Sequence, residues 1–121
     1  MAFSFENLDV YQRALDFVEV VEKLSQELKG KASYGLLDQL QRASLSIPLN
    51  IAESTNRWHK AEKRQFFWIA RGSVFECVPI IQILHRKELI DESSYSTYYD
   101  QLDVIAKMLI NLVKSVEDLE R

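Results

Sequence analysis

The sequence is poor in the residues that punctuate a chain. Three glycines and two prolines among 121 positions leave little turn-forming material, so a few long regular elements are expected rather than many short strands. Cysteine is rarer still. Cys77 stands alone, which excludes an internal disulfide and any zinc site built on cysteine pairs. The first ten residues, MAFSFENLDV, lack the basic start and apolar run of a secretory leader, and a reducing cytoplasm is the expectation. Long uncharged apolar runs are missing too. Arg71, Glu76 and Arg86 interrupt the most apolar region, so no stretch reaches the roughly 18 residues expected of a membrane span.

What remains is 47% hydrophobic and 27% charged, the balance of a soluble globular chain. Residues 1–121 suit one domain with a core of its own. The net charge of −3 conceals an uneven distribution. Residues 1–28 hold 2 cations and 6 acids, residues 29–87 hold 10 and 4, and residues 88–121 hold 3 and 8. An acidic whole disfavours generic nucleic-acid binding, yet the basic middle makes a patch if folding gathers it on one surface.

Apolar residues at steps of three and four mark four helices. Leu8, Tyr11, Leu15, Val18, Val21, Leu24 and Leu28 predict the first, over 8–28, stopped at Lys29-Gly30. The second, over 34–57, is apolar around most of its circumference and so reads as a central helix touched on more than one side. Its polar residues form a narrow stripe that includes Asn50, Glu53 and Arg57. Pro48 lies inside the pattern and predicts a kink, because the apolar period continues past it. Asn50 is placed to bridge backbone that Pro48 frees, and Glu53 can pair with Arg57 four residues on, for a few tenths of a kcal/mol.

The third helix, over 60–87, has Gly72-Ser73 at its centre, where another backbone can approach closely. A second kink is predicted at Pro79. After Asp91-Glu92-Ser93-Ser94 the fourth helix repeats Tyr95, Tyr98, Leu102, Ile105, Leu109, Leu112, Val116 and Leu119, a coiled-coil-like seam within the bundle or between subunits. Short connections make neighbouring helices antiparallel. The expected fold is therefore all-α, an antiparallel up-down four-helix bundle with kinked second and third helices.

Candidate chemistry is sparse. His59-x-x-Glu62 and His85-x-x-Glu88 reverse the Glu-x-x-His pattern of di-iron bundles, and 26 residues of helix would hold the histidines roughly 39 Å apart. No metal site, cofactor or catalytic residue is predicted. Cys77, among Val74, Val78 and Ile81, reads as a buried inert thiol. Glu53 and Glu76 could in principle face one another in the core, with nothing else to support catalysis. More informative are Lys60, Arg64, Trp68, Arg71 and Phe75, which share one face of the third helix. Cations interleaved with aromatics can hold an RNA backbone and stack an unpaired base. The plainer alternative is that the rings pack on another helix or subunit, with the cation stems laid over them.

The run from Tyr34 to Arg57, YGLLDQLQRASLSIPLNIAESTNR, resembles the bacterial four-helix-bundle family known as 23S rRNA intervening-sequence proteins. Leu8 to Ala14 and Ile69-Ala70-Arg71-Gly72-Ser73 carry the resemblance further, and Ser46 to Glu53, SIPLNIAE, is its most specific block. Ser54 stands where that family usually has glycine. The resemblance implies a bundle fold, no catalytic residues, and an architectural role for Pro48, Asn50, Glu53 and Arg57. It also implies kinship with accessory proteins of diversity-generating retroelements, which form homopentamers that bind nucleic acid and a reverse transcriptase. Two function classes follow: a homo-oligomeric module that contacts RNA or a ribonucleoprotein through Lys60, Arg64, Trp68 and Arg71, and a self-assembly or protein-binding scaffold with no nucleic-acid contact.

Overall fold

The computed structural model describes residues 2–119. Four helices account for most of them: α1 (Asp9–Glu27), α2 (Tyr34–Thr55), α3 (Lys60–Arg86) and α4 (Glu92–Leu119). The boundaries of α1 to α3 fall within two residues of the positions that the apolar periods predict, and α4 starts at Glu92, three residues before the first member of its seam, Tyr95. Contacts join α1 to α2, α2 to α3, α3 to α4 and α4 back to α1, while the diagonal pairs do not touch. The helices therefore form the four corners of a bundle, with short connections turning the chain at each end.

Local chemistry explains the boundaries. Ser33 caps α2 by accepting from the Leu36 amide at 3.2 Å, and an Asp91 carboxylate oxygen accepts from the Ser94 amide at 2.7 Å ahead of α4. α1 ends at Glu27, and in the connection after it Gly30 takes a φ of +82°, which suits glycine. α3 ends differently. Glu88 takes φ +60°, and the Leu89 amide reaches back to the Leu84 carbonyl at 3.0 Å, a Schellman-type stop made without glycine.

α2 and α3 continue through Pro48 and Pro79, as the unbroken apolar period requires. The role expected of Asn50 is corrected. Pro48 frees the Ser44 carbonyl, six residues before Asn50 and toward the core. The Asn50 amide instead donates to the carbonyl and hydroxyl of Ser46, at 2.8 and 2.9 Å. One feature has no counterpart in the periodicity: a 3-10 turn over Ser4–Asn7, held by the Phe3 amide on the Glu6 carboxylate at 3.1 Å and by Phe5 edge-on to Tyr11.

The core is continuous through all four helices. Phe17, Leu40, Ile47, Ile51, Ile81, Leu84, Leu102, Ile105 and Leu109 are completely enclosed, each worth roughly 1.5–3 kcal/mol of burial. The α4 seam belongs to this core, since its central members Leu102, Ile105 and Leu109 are enclosed in it rather than turned to solvent. Leu119, its last member, lies beyond the described side chains. By length and composition α3 is also apolar enough to cross a membrane, and in the bundle one side of it, with Phe67, Ala70, Val74, Cys77, Ile81 and Leu84, is buried in the core. Among the described residues there is no strand.

Candidate interaction face on the third helix

Lys60, Arg64, Trp68, Arg71 and Phe75 do share one face of α3, as their spacing requires, on the outer side of the bundle. The rings are the exposed part: Trp68 is 45% and Phe75 56% accessible. Lys60, Arg64 and Arg71 are half-buried, and each is engaged. The Arg71 guanidinium lies 4.6 Å from the Phe75 ring centre and 5.9 Å from that of Trp68, while its Nε donates to the Ala106 carbonyl of α4 at 3.4 Å. Arg71 therefore bridges α3 to α4 and lies against both aromatics, in the cation–π arrangement.

Apolar exposure does not stop at these rings. On α2, Leu45 is 49% and Leu49 59% exposed, so the second helix, apolar nearly all round, is covered by its own chain on one side only. Ser46 lies beside these leucines, and Ser73 of α3 donates to it at 2.8 Å. That hydroxyl contact draws α2 against α3. Ile69 is exposed one turn before Ser73, and Gly72 sits at the surface with nothing within 4 Å of where a Cβ would stand. The close approach expected at Gly72-Ser73 is thus divided: Ser73 meets α2, whereas among the described residues nothing lies within 4 Å of a Cβ at Gly72.

The polar stripe of α2 runs along the edge of this face. Glu53 pairs with Arg57, whose guanidinium also covers the Phe66 ring at 4.7 Å. Both partners are about two-fifths exposed, so the pair contributes only a few tenths of a kcal/mol. Glu53 and Glu76 do not meet in the core: Glu53 is half-exposed beside Arg57, and Glu76 is at the surface. Together with Pro48 and Asn50, then, the stripe ties α2 to itself and to α3.

The remaining candidates are separated from the face. His59 is exposed ahead of α3, whereas His85 stacks on Tyr95 at 4.2 Å and pairs through Nε2 with Glu92 at 2.8 Å. No group of three or more His, Cys, Asp or Glu able to hold a metal occurs among the described residues. Cys77 is fully enclosed, and burial, aided by the Glu76 charge, pushes its thiol up to about 12. Such a thiol supplies almost no thiolate near neutral pH. Periodicity missed Trp58, 94% exposed in the α2–α3 turn, because a ring in a polar turn joins no apolar repeat.

A bundle whose most specific stripe binds its own helices calls for comparison with known proteins. The model of the 23S rRNA-intervening sequence protein family matches residues 6–111. The chain belongs to this family. Among solved structures, it is similar to a protein of unknown function from the S23 ribosomal protein family of Bacteroides thetaiotaomicron VPI-5482. The TM-score is 0.82 at 24% identity, over 87% of this chain and 98% of that one. At that identity the likeness supports the bundle architecture. No curated protein matches the chain. The family match spans all of α1 to α3 and most of α4, so the α3 face lies wholly within the family's shared domain.

Proposed function

We propose that the protein is a non-enzymatic accessory module of the intervening-sequence family whose primary property is self-assembly through the outer surfaces of α2 and α3. The observation that carries this reading is the exposure of Leu45, Leu49, Trp68, Ile69 and Phe75 on adjoining helices. Scattered exposed apolar residues are ordinary, but neighbouring large ones mark surfaces that other molecules cover. Light scattering at micromolar concentration is expected to give several times the 14.1 kDa chain mass, with five copies the number that the family resemblance favours. A monomer at every concentration rejects the reading.

A second reading, contact with single-stranded RNA, is favoured by one observation: Arg71 lies against two exposed rings on the helix that carries five cations. If about three phosphates are neutralised per chain, log K falls with log salt at a slope near −2. Arg64→Ala/Arg71→Ala flattens that slope, whereas Trp68→Ala weakens binding by about 1–3 kcal/mol per stacked base and leaves the slope unchanged. No binding by the wild type at low salt, together with loss of assembly in Trp68→Ala, assigns the face to self-assembly alone.

A further inference from the structure

The helices differ in the sign of their charge. α3 has five cations and two acids, while α1 and α4 each have five acids and two cations. On α1, Asp16, Glu19 and Glu22 are exposed, and no ion-pair partner accompanies them among the described residues. The acidic side also contains an apolar opening. Leu8, Val10, Met108 and Leu112 line a groove of about 250 Å³ between α1 and α4, with Asp9 and Asn111 at its rim. An apolar cavity of about 150 Å³ accepts a benzene ring, so this groove has room for one phenyl or indole group.

Across the molecule, Trp68 and Phe75 project from the cationic helix with the Arg71 guanidinium against both. We propose that this ridge of one copy docks on the α1–α4 groove of a second copy, an aromatic ring entering the groove and the α3 cations facing the α1 acids. The proposal rests on the self-assembly reading, keeps the α3 side of that face as one surface and adds the α1–α4 groove as the other. Ridge-to-ridge pairing would set the cationic helix against itself, and like-charge juxtaposition costs several kcal/mol. Ridge-to-groove pairing opposes charges of different sign and fills an apolar hollow. Gly72, between Trp68 and Phe75, lets the incoming helices come close. Because the two surfaces differ, the contact is heterologous: every docked copy still presents one free ridge or groove until a ring closes.

The test uses two variants, each with one surface spoiled. Trp68→Ala/Phe75→Ala removes the ridge and keeps the groove; Asp16→Lys/Glu19→Lys reverses two of the α1 acids that the proposal sets against the α3 cations and keeps the ridge. All four positions are exposed, and a cooperative thermal melt confirms that each variant folds. Met108→Lys, which changes the groove lining itself, serves as an independent groove variant. Where wild type assembles, each variant alone is expected to sediment as a monomer, and an equimolar mixture is expected to give a species of two chains, one of each kind. A mixture that stays monomeric while the wild type assembles overturns the ridge-to-groove pairing and leaves self-assembly standing. A groove variant that still assembles with itself overturns the pairing as well. A monomeric wild type overturns both.

Discussion

Replacing Gly72 with alanine separates what α3 needs within its own chain from what it needs in an assembly. Glycine inside a helix is less favourable than alanine by about 1 kcal/mol, through the backbone entropy it loses on folding. At most glycines that cost is repaid by a turn or by a close contact. At Gly72 neither exists in the chain: φ is not positive, and a Cβ would meet nothing within 4 Å. The full gain of about 1 kcal/mol should therefore appear in an unassembled chain, raising the melting temperature by about 4 °C for a domain of this size. The assay is thermal unfolding followed by circular dichroism, with Gly72→Ala placed in the Trp68→Ala/Phe75→Ala background so that assembly does not contribute. A melting temperature that is unchanged or lower refutes the claim that Gly72 has no role inside the chain. If copies pair through this ridge as proposed, the same substitution in an otherwise wild-type chain should lower the assembled mass, because a methyl group would intrude where the partner packs.

At the end of α3, Glu88→Gly is expected to stabilise the fold by about 1 kcal/mol, since Glu88 holds φ +60° where a side chain is strained and glycine is not; urea denaturation measures it. Cys77 should resist alkylation in the native state. Its raised pKa means that the native state keeps a proton which the unfolded chain releases near 9.0, so this thiol's contribution is complete below that pH and is lost as pH rises toward about 12; labelling rates across that range, native against urea-unfolded, check it. Asp91 has the opposite sign. Hydrogen bonds from Ser94 hold its carboxyl below the usual 3.8, so its support for α4 is present above that value and disappears as pH falls through the lower, folded value. The difference in melting temperature between wild type and Asp91→Ala should therefore close in acid.

The helices were legible in the sequence because burial imposes a period and four amphipathic segments keep it without interruption. Gly30, by its conformational freedom, marks the turn after α1, whereas the Ser33 cap of α2 emerges only from the structure. Features that satisfy no period stayed hidden. The 3-10 turn over Ser4–Asn7 rests on two reciprocal hydrogen bonds between Phe3 and Glu6 and on an edge-on ring pair, neither of which repeats along the chain. Glu88 gives no sign in the sequence of a left-handed stop, since the residue that usually announces one is absent. Asn50 was read as serving the carbonyl freed by Pro48, but a side chain on a helix reaches the residue four positions back, and that residue is Ser46.

The α3 face shows the same division at the level of function. Spacing alone places Lys60, Arg64, Trp68, Arg71 and Phe75 on one line, and the structure keeps them there. Spacing does not say whether cation or ring faces outward, because that depends on what α4 offers. α4 offers the Ala106 carbonyl, which takes the Arg71 Nε; the guanidinium is thereby laid along the helix and the rings are left outermost. A face meant first for phosphate would present its cations and shelter its rings. Here the order is reversed, so the free energy available at this surface is largely apolar. Trp68 and Phe75 each retain about half their surface in water, on the order of 100 Å² apiece for aromatic side chains. At about 25 cal/mol per Å² that amounts to about 5 kcal/mol for the pair when both are covered, more than the few screened ionic contacts of an exposed surface contribute. Self-assembly consequently ranks ahead of RNA binding for this face, and Trp68→Ala/Phe75→Ala should weaken assembly far more than raising salt does. If high salt dissolves the assembly while the double alanine variant leaves it intact, ionic contacts hold the copies together and the ranking is wrong.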